Sequence, residues 1–134
     1  MIEELAGKVF DHKLPIVFVG GPYSQPDPCI NVNATAKLLD RLWFDGLVFP
    51  VCPMIESHMQ HLLIPRPYEA WLLRCMRFIR FVDAGIFRPG VSSGKAREQG
   101  LFKARNIPYF EEADENLSVT ALYLWVDEIW NKKG

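Results

Sequence analysis

Ile16-Val17-Phe18-Val19-Gly20-Gly21-Pro22 is the stretch on which the fold turns. Four apolar residues, three of them β-branched, run without a polar interruption and stop at two glycines and a proline. A strand with one wet face alternates between apolar and polar residues. An unbroken run of this length suits a strand buried on both faces, as in a parallel sheet with helices on each side. Leu47-Val48-Phe49, residues 83–87 and residues 107–110 repeat the pattern in shorter form.

The segments between these runs carry helical spacing. In residues 31–45, Leu38, Leu39, Leu42 and Trp43 make an apolar stripe, with Asn31 or Asn33 as cap and Gly46 as terminator. Residues 68–81 place Trp71, Leu72, Cys75, Met76 and Ile79 on one face and Arg74, Arg77 and Arg80 on another. That arginine row reads as a solvated or subunit-facing surface, with a phosphate contact as the sharper alternative. Residues 94–106 follow a Ser92 or Ser93 cap, and residues 117–130 form a last helix with Leu117, Ala121, Leu124, Trp125 and Ile129 on its apolar face. Residues 54–67 are poorly periodic and read as an excursion over the sheet's end. Strands alternating with helices imply right-handed crossovers. The expected architecture is an α/β, small Rossmann- or flavodoxin-like three-layer sandwich with a parallel sheet of four to five strands. Residues 1–134 are the size of one domain.

Composition removes several function classes. Lys and Arg total 15 against 16 Asp and Glu, a net charge of −1, so there is no electrostatic footprint for a nucleic-acid polymer. No apolar run approaches the roughly 18 residues that would span a bilayer. Residues 1–13 are acidic and lack the apolar core of a signal peptide, which points to the cytoplasm. Cys29, Cys52 and Cys75 form no Cys-x-x-Cys pair and read as partly buried thiols. The histidines are His12, His58 and His61. His58 and His61 are three apart but have only Glu56 nearby, too little for a metal site.

Ligands of such folds bind outside the carboxyl ends of the strands. Two loops there have suitable composition. Gly20-Gly21-Pro22-Tyr23-Ser24 lets a ligand approach the backbone, although it is neither a P-loop nor a dinucleotide fingerprint. Pro89-Gly90-Val91-Ser92-Ser93-Gly94 offers two hydroxyls and free N–H groups at a helix start, an anion site without a lysine. Glu98 lies one turn inside that helix. From the residues alone it is either an exposed helix glutamate beside Arg97 or Lys103, or a carboxylate aimed at the ligand. These features reach as far as a small polar or phosphorylated ligand.

The same pieces, in this order and spacing, resemble the nucleoside 2-deoxyribosyltransferase superfamily over about residues 15–110. The resemblance is carried by Gly20-Gly21-Pro22-Tyr23, then Asn31, Ala34 and Leu38, and Gly46 to Pro50. It continues through Asp83-Ala84, Pro89-Gly90-x-Ser92-x-Gly94-x-x-x-Glu98 and Ala104-x-Asn106-Ile107-Pro108-Tyr109-Phe110. It implies cleavage or transfer of the N-glycosidic bond of nucleosides or nucleotides, with Glu98 as the nucleophile that bonds to C1′. Physically, a carboxylate opposite the base stabilises an oxocarbenium-like transition state.

The nucleoside transferases carry an aspartate six residues before that glutamate, where this chain has Ser92. They carry another on the preceding helix, where nothing acidic lies between Glu69 and Asp83. Both departures point to the branch that hydrolyses nucleoside 5′-monophosphates. The resemblance then implies that Ser92, Ser93 and Gly94, and more loosely Gly21, hold the 5′-phosphate. It sets Tyr23 near the sugar, bonded to Glu98. The first loop lacks the arginine found there in the monophosphate hydrolases, and Arg88 or a row arginine from a neighbouring subunit is the expected substitute. Residues 57–65 should shape the base pocket. No metal or organic cofactor is implied. The expected partners are a small nucleotide or nucleoside and further copies of the chain, as a homodimer or homotetramer. The four Trp and nine Phe agree, being more than a small core hides. Base exchange between nucleosides and non-catalytic nucleotide binding are the alternative functions.

Overall fold

Val17 and Val19 point to one face of the first strand and Phe18 to the other, and all three are buried. The computed structural model describes residue 3 and residues 13–133. The reading of residues 1, 2 and 4–12, His12 included, lies outside them. Four strands, β1 (Ile16–Gly20), β2 (Phe49–Val51), β3 (Ala84–Phe87) and β4 (Tyr109–Phe110), form one parallel sheet in the order β2-β1-β3-β4. Five α-helices accompany them among the described residues. They are α1 (Pro28–Asp45), α2 (Pro53–Leu63), α3 (Tyr68–Ile79), α4 (Ser93–Ala104) and α5 (Glu115–Trp125). After α5 the chain runs on through a π-helical turn at Val126–Trp130 and a 3-10 turn at Asn131–Lys133. The protein is the expected Rossmann- or flavodoxin-like α/β sandwich.

The two faces of the sheet bury different chemistry. Aliphatic side chains fill one side, where Val17, Val19, Ala84 and Ile86 meet Leu38 and Leu42 of α1 and Val119 and Leu122 of α5. Rings fill the other, where Phe18 and Phe87 meet Phe102 of α4 in tilted or edge-on contacts 5.5–5.9 Å between centroids. Gly85 makes room for this packing, because a Cβ there would lie 2.7 Å from the Phe102 ring. Asp83 fixes the start of the central pair by accepting the Ile16 N–H at 2.8 Å while its own N–H bonds the Ile16 carbonyl. Pro50 sits inside β2, which is tolerated because β2 is an edge strand. No helix among the described residues is long and apolar enough to cross a membrane.

Several boundaries differ from the sequence reading. The first helix starts at Pro28, three residues early. Its cap is Asp27, whose Oδ1 accepts from the N–H groups of Cys29 and Ile30. Asn31 lies inside the helix, and its Nδ2 holds the preceding loop through the carbonyls of Tyr23 and Gln25. Asn33 is likewise an interior residue. Most of residues 54–67, expected as irregular, belongs to the helix α2, begun by Pro53 at its first turn. The strand expected at 47–49 runs from 49 to 51, and β4 is limited to its last two residues. Ser92 caps α4 and Gly46 ends α1 at φ +71°, both as expected.

Gly85→Ala is expected to lower stability by about 1–3 kcal/mol, because the added methyl must displace a fully buried ring. Urea denaturation of the two proteins measures it; an unchanged midpoint would contradict this packing.

Candidate active site

The sheet order puts a switch point between β1 and β3, since the chain leaves β1 towards β2 and returns on the other side for β3. At such a point the loops that follow the two strands diverge and leave a crevice. A cavity of about 490 Å³ occupies it, walled by the loop after β1, helices α2 and α3, and the first turns of α4.

The two loops bordering the crevice are locked together. A Cβ on Gly21 would lie 2.9 Å from Arg88 Cβ, and one on Gly90 would lie 2.8 Å from Pro22. Gly90 also adopts φ +123°, open to glycine alone at low cost. Lys95 completes the lock from inside α4. It is 6 % exposed, and its Nζ donates to the carbonyls of Arg88 and Gly90 and to the Glu111 carboxylate beyond β4. Sequence reading does not single out Lys95. A lone lysine in a first turn gives no sign that three acceptors converge on it.

The start of α4 forms one wall. The Ser92 Oγ accepts the Lys95 N–H at 3.2 Å and the Ser92 carbonyl takes the Ala96 N–H. The N–H groups of Ser93 and Gly94, in the first turn, have no helical acceptor. Ser92, Ser93 and Gly94 all line the cavity, as does Gly21.

Glu98 lines it too and is half-buried. Its carboxyl faces the Cys75 thiol of α3 within S–H···O reach, with Cys52 close by. Burial pushes the Glu98 carboxyl up to about 8, partly offset by the hydrogen bond from Cys75. Burial also raises both thiols, Cys75 to about 12 and Cys52 to about 11, and the Glu98 charge adds to each. These cysteines are therefore protonated neighbours of a reluctant carboxylate. The bland reading of Glu98, an exposed residue paired with Arg97 or Lys103, does not describe it.

Two expected partnerships differ. Tyr23 lines the cavity, but its hydroxyl bonds His58 Nδ1 at 2.7 Å rather than Glu98, and burial raises its pKa. Arg88 leaves the cavity wall altogether. Its Nε pairs with Glu115 of α5 at 3.2 Å, and its buried Nη1 has no partner among the described residues. Its backbone, not its guanidinium, serves the crevice. Of the row arginines, Arg74 ties α3 to α2 through Glu56 and Gln60, while Arg77 and Arg80 are exposed.

The helix α2 brings in residues that sequence reading placed only loosely, as part of the stretch shaping a base pocket. His58, at 9 % exposure, and His61 line the cavity with Ser57. Trp71, Tyr68, Arg66 and Arg97 complete the wall towards α3. Among the described residues, no group of three or more His, Cys, Asp or Glu could hold a metal ion. The donors converging here are neutral hydroxyls, N–H groups, imidazoles and guanidinium groups, around one carboxyl.

Comparison of the chain with family models, curated proteins and solved structures gave no match.

The raised Glu98 pKa carries a stability consequence. A carboxyl raised from 4.5 to about 8 on folding stabilises the protein fully below pH 4.5. That contribution is lost as the pH climbs to about 8. Urea denaturation of the protein and of Glu98→Gln between pH 4 and pH 9 is expected to show the difference changing over that interval only. Parallel curves would contradict a perturbed Glu98.

Proposed function

We propose that the protein hydrolyses the N-glycosidic bond of a nucleoside 5′-monophosphate, as a member of the nucleoside 2-deoxyribosyltransferase superfamily. The observation that carries this is one helix turn. Free N–H groups and hydroxyls at residues 92–94 and the Glu98 carboxyl share a single cavity wall. At 1.5 Å per residue, about 6 Å of helix axis separates Gly94 from Glu98. That spacing suits a pentose held by its 5′-phosphate at the helix start with its anomeric carbon at Glu98.

In this reading the ionised Glu98 attacks C1′. The C1′–O bond forms as the C1′–N bond breaks, and the base leaves with the bonding electrons and takes up a proton. Water then attacks C1′, releasing the sugar phosphate and restoring Glu98. The helix N-terminus supplies a positive field for the phosphate, and no metal or organic cofactor enters any step. Tyr23 and His58 hold one another at the cavity wall. Aromatic side chains there give a base a surface to stack on.

The proposed substrate class is tested by incubating the protein with separate ribo- and deoxynucleoside 5′-monophosphates and separating free base by chromatography. Release from at least one is expected, reduced on the order of 10³-fold or more in Glu98→Gln. Silence across the panel, with base exchange between unphosphorylated nucleosides, would favour the transferase. Because the nucleophile is the ionised form, kcat/KM is expected to rise with pH and level off above about 8. A profile falling over that range would make Glu98 an acid instead.

Assembly belongs to the same proposal. Met59, Leu62, Leu63 and Ile64 at the end of α2 and Leu73 and Met76 on α3 are exposed, Leu63 at 83 %. An apolar surface of this kind marks an interface, and a homodimer or homotetramer covers it. Light scattering is expected to give the mass of two or four chains; a monomer would contradict it.

A further inference from the structure

Tyr68 and Trp71 are three residues apart in the first turn of α3, so they share a face, and both line the cavity. Each ring carries a guanidinium group. Arg97, reaching across from α4, places Cζ 5.2 Å from the Tyr68 centroid, and Arg66, from the segment before α3, places Cζ 5.5 Å from the Trp71 centroid. Both arginines line the cavity. Arg41, Arg74 and Arg88 each face a carboxylate within 4 Å, whereas neither Arg66 nor Arg97 has such a partner among the described residues. Among the described residues, Arg66 makes one hydrogen bond, a long one of 3.5 Å to the Ile64 carbonyl.

A guanidinium lying over a ring uses its face and keeps its N–H edge for a planar anion. Stacking also fixes part of the side chain before any ligand arrives, which lowers the entropy lost on binding. Two such groups on one cavity wall, uncompensated by carboxylates, set the sign of what enters. The Tyr68 hydroxyl lies beside the start of α4, 3.6 Å from where a Gly94 Cβ would be. Arg97 and the first turn of that helix line the same cavity.

We propose that Arg66 and Arg97, each laid over an aromatic ring of α3, form an anion clamp that selects a phosphorylated ligand over its unphosphorylated counterpart. This rests on the nucleotide reading above and deepens it. It assigns the phosphate contact to two arginines that sequence reading did not single out for it, in place of Arg88.

Isothermal titration of the full-length chain tests it, in the Glu98→Gln background that stops turnover. The ligands are nucleoside 5′-monophosphates, their parent nucleosides and inorganic phosphate. Monophosphates are expected to bind more tightly than nucleosides. Arg97→Gln and Arg66→Gln are each expected to weaken monophosphate binding by about tenfold to a hundredfold, with nucleoside affinity unchanged. Arg97→Lys, which keeps the charge and loses the planar edge, and Tyr68→Leu, which removes the platform, are expected to fall between. Monophosphate binding that ignores all four substitutions overturns the clamp and leaves the N-glycosidase reading standing. Nucleosides binding as tightly as monophosphates also overturn the clamp, and favour the transferase. Failure of every ligand to bind overturns both. Binding through the arginines without base release from the unsubstituted protein keeps the clamp and removes the N-glycosidase.

Discussion

The parallel pairing of Ile16–Gly20 with Ala84–Phe87 is the constraint on which the site depends. It sets two strand ends side by side and sends their loops in opposite directions. The crevice follows from that divergence, and the glycines and Lys95 keep it from being an accident of loop conformation. Gly21 and Gly90 let the loops touch, and Lys95 gathers the carbonyls of the second loop against Glu111. A buried lysine is costly unless its donors are satisfied. Here they are, and the start of α4 is held as part of the sheet's end. The N–H groups of Ser93 and Gly94, which lack helical acceptors, inherit that rigidity.

The electrostatics of the cavity divide in two. On one part of its wall, guanidinium groups over rings and helix N–H groups favour negative charge. Around Glu98, thiols and aromatic surface withhold solvent, so the carboxyl ionises only near pH 8. A carboxylate that is unfavourable in the empty site gains most when positive charge develops beside it, which is the demand of an oxocarbenium-like transition state. Cys75 moderates this, since its hydrogen bond favours the ionised form without adding charge to the site.

The strands and four of the helices were legible because their job is to cover a sheet. Val17, Val19, Leu38, Leu42 and Ile86 are core residues, and core residues obey strand and helix spacing. The last helix turns a different face inward than its spacing suggests: Leu117, Leu124 and Ile129 are exposed, and Val119, Leu122 and Val126 are buried. The helix α2 was not legible for the converse reason. It covers a cavity and an exposed apolar surface, so only Pro53 and His58 are buried and no stripe appears. The cap at Asp27 was hidden by the prolines around it, although Pro28 at the first turn is a starting signal. At the site, Gly21, Ser92, Ser93, Gly94 and Glu98 could be singled out because strand ends and helix starts are where ligands bind. The partners Tyr23–His58, Arg88–Glu115 and Glu98–Cys75 join residues 23–35 positions apart. No local pattern encodes such meetings.

Everything chemical in this picture turns on whether Glu98 bonds to a sugar carbon. Rapid acid quenching of the protein with a processed nucleoside 5′-monophosphate, followed by peptide mass spectrometry, asks this directly. A sugar-phosphate adduct on the peptide that contains Glu98, absent from the Glu98→Gln protein, is the expected result. Base release with no adduct at Glu98, or an adduct that persists in Glu98→Gln, would contradict the covalent role given to that residue.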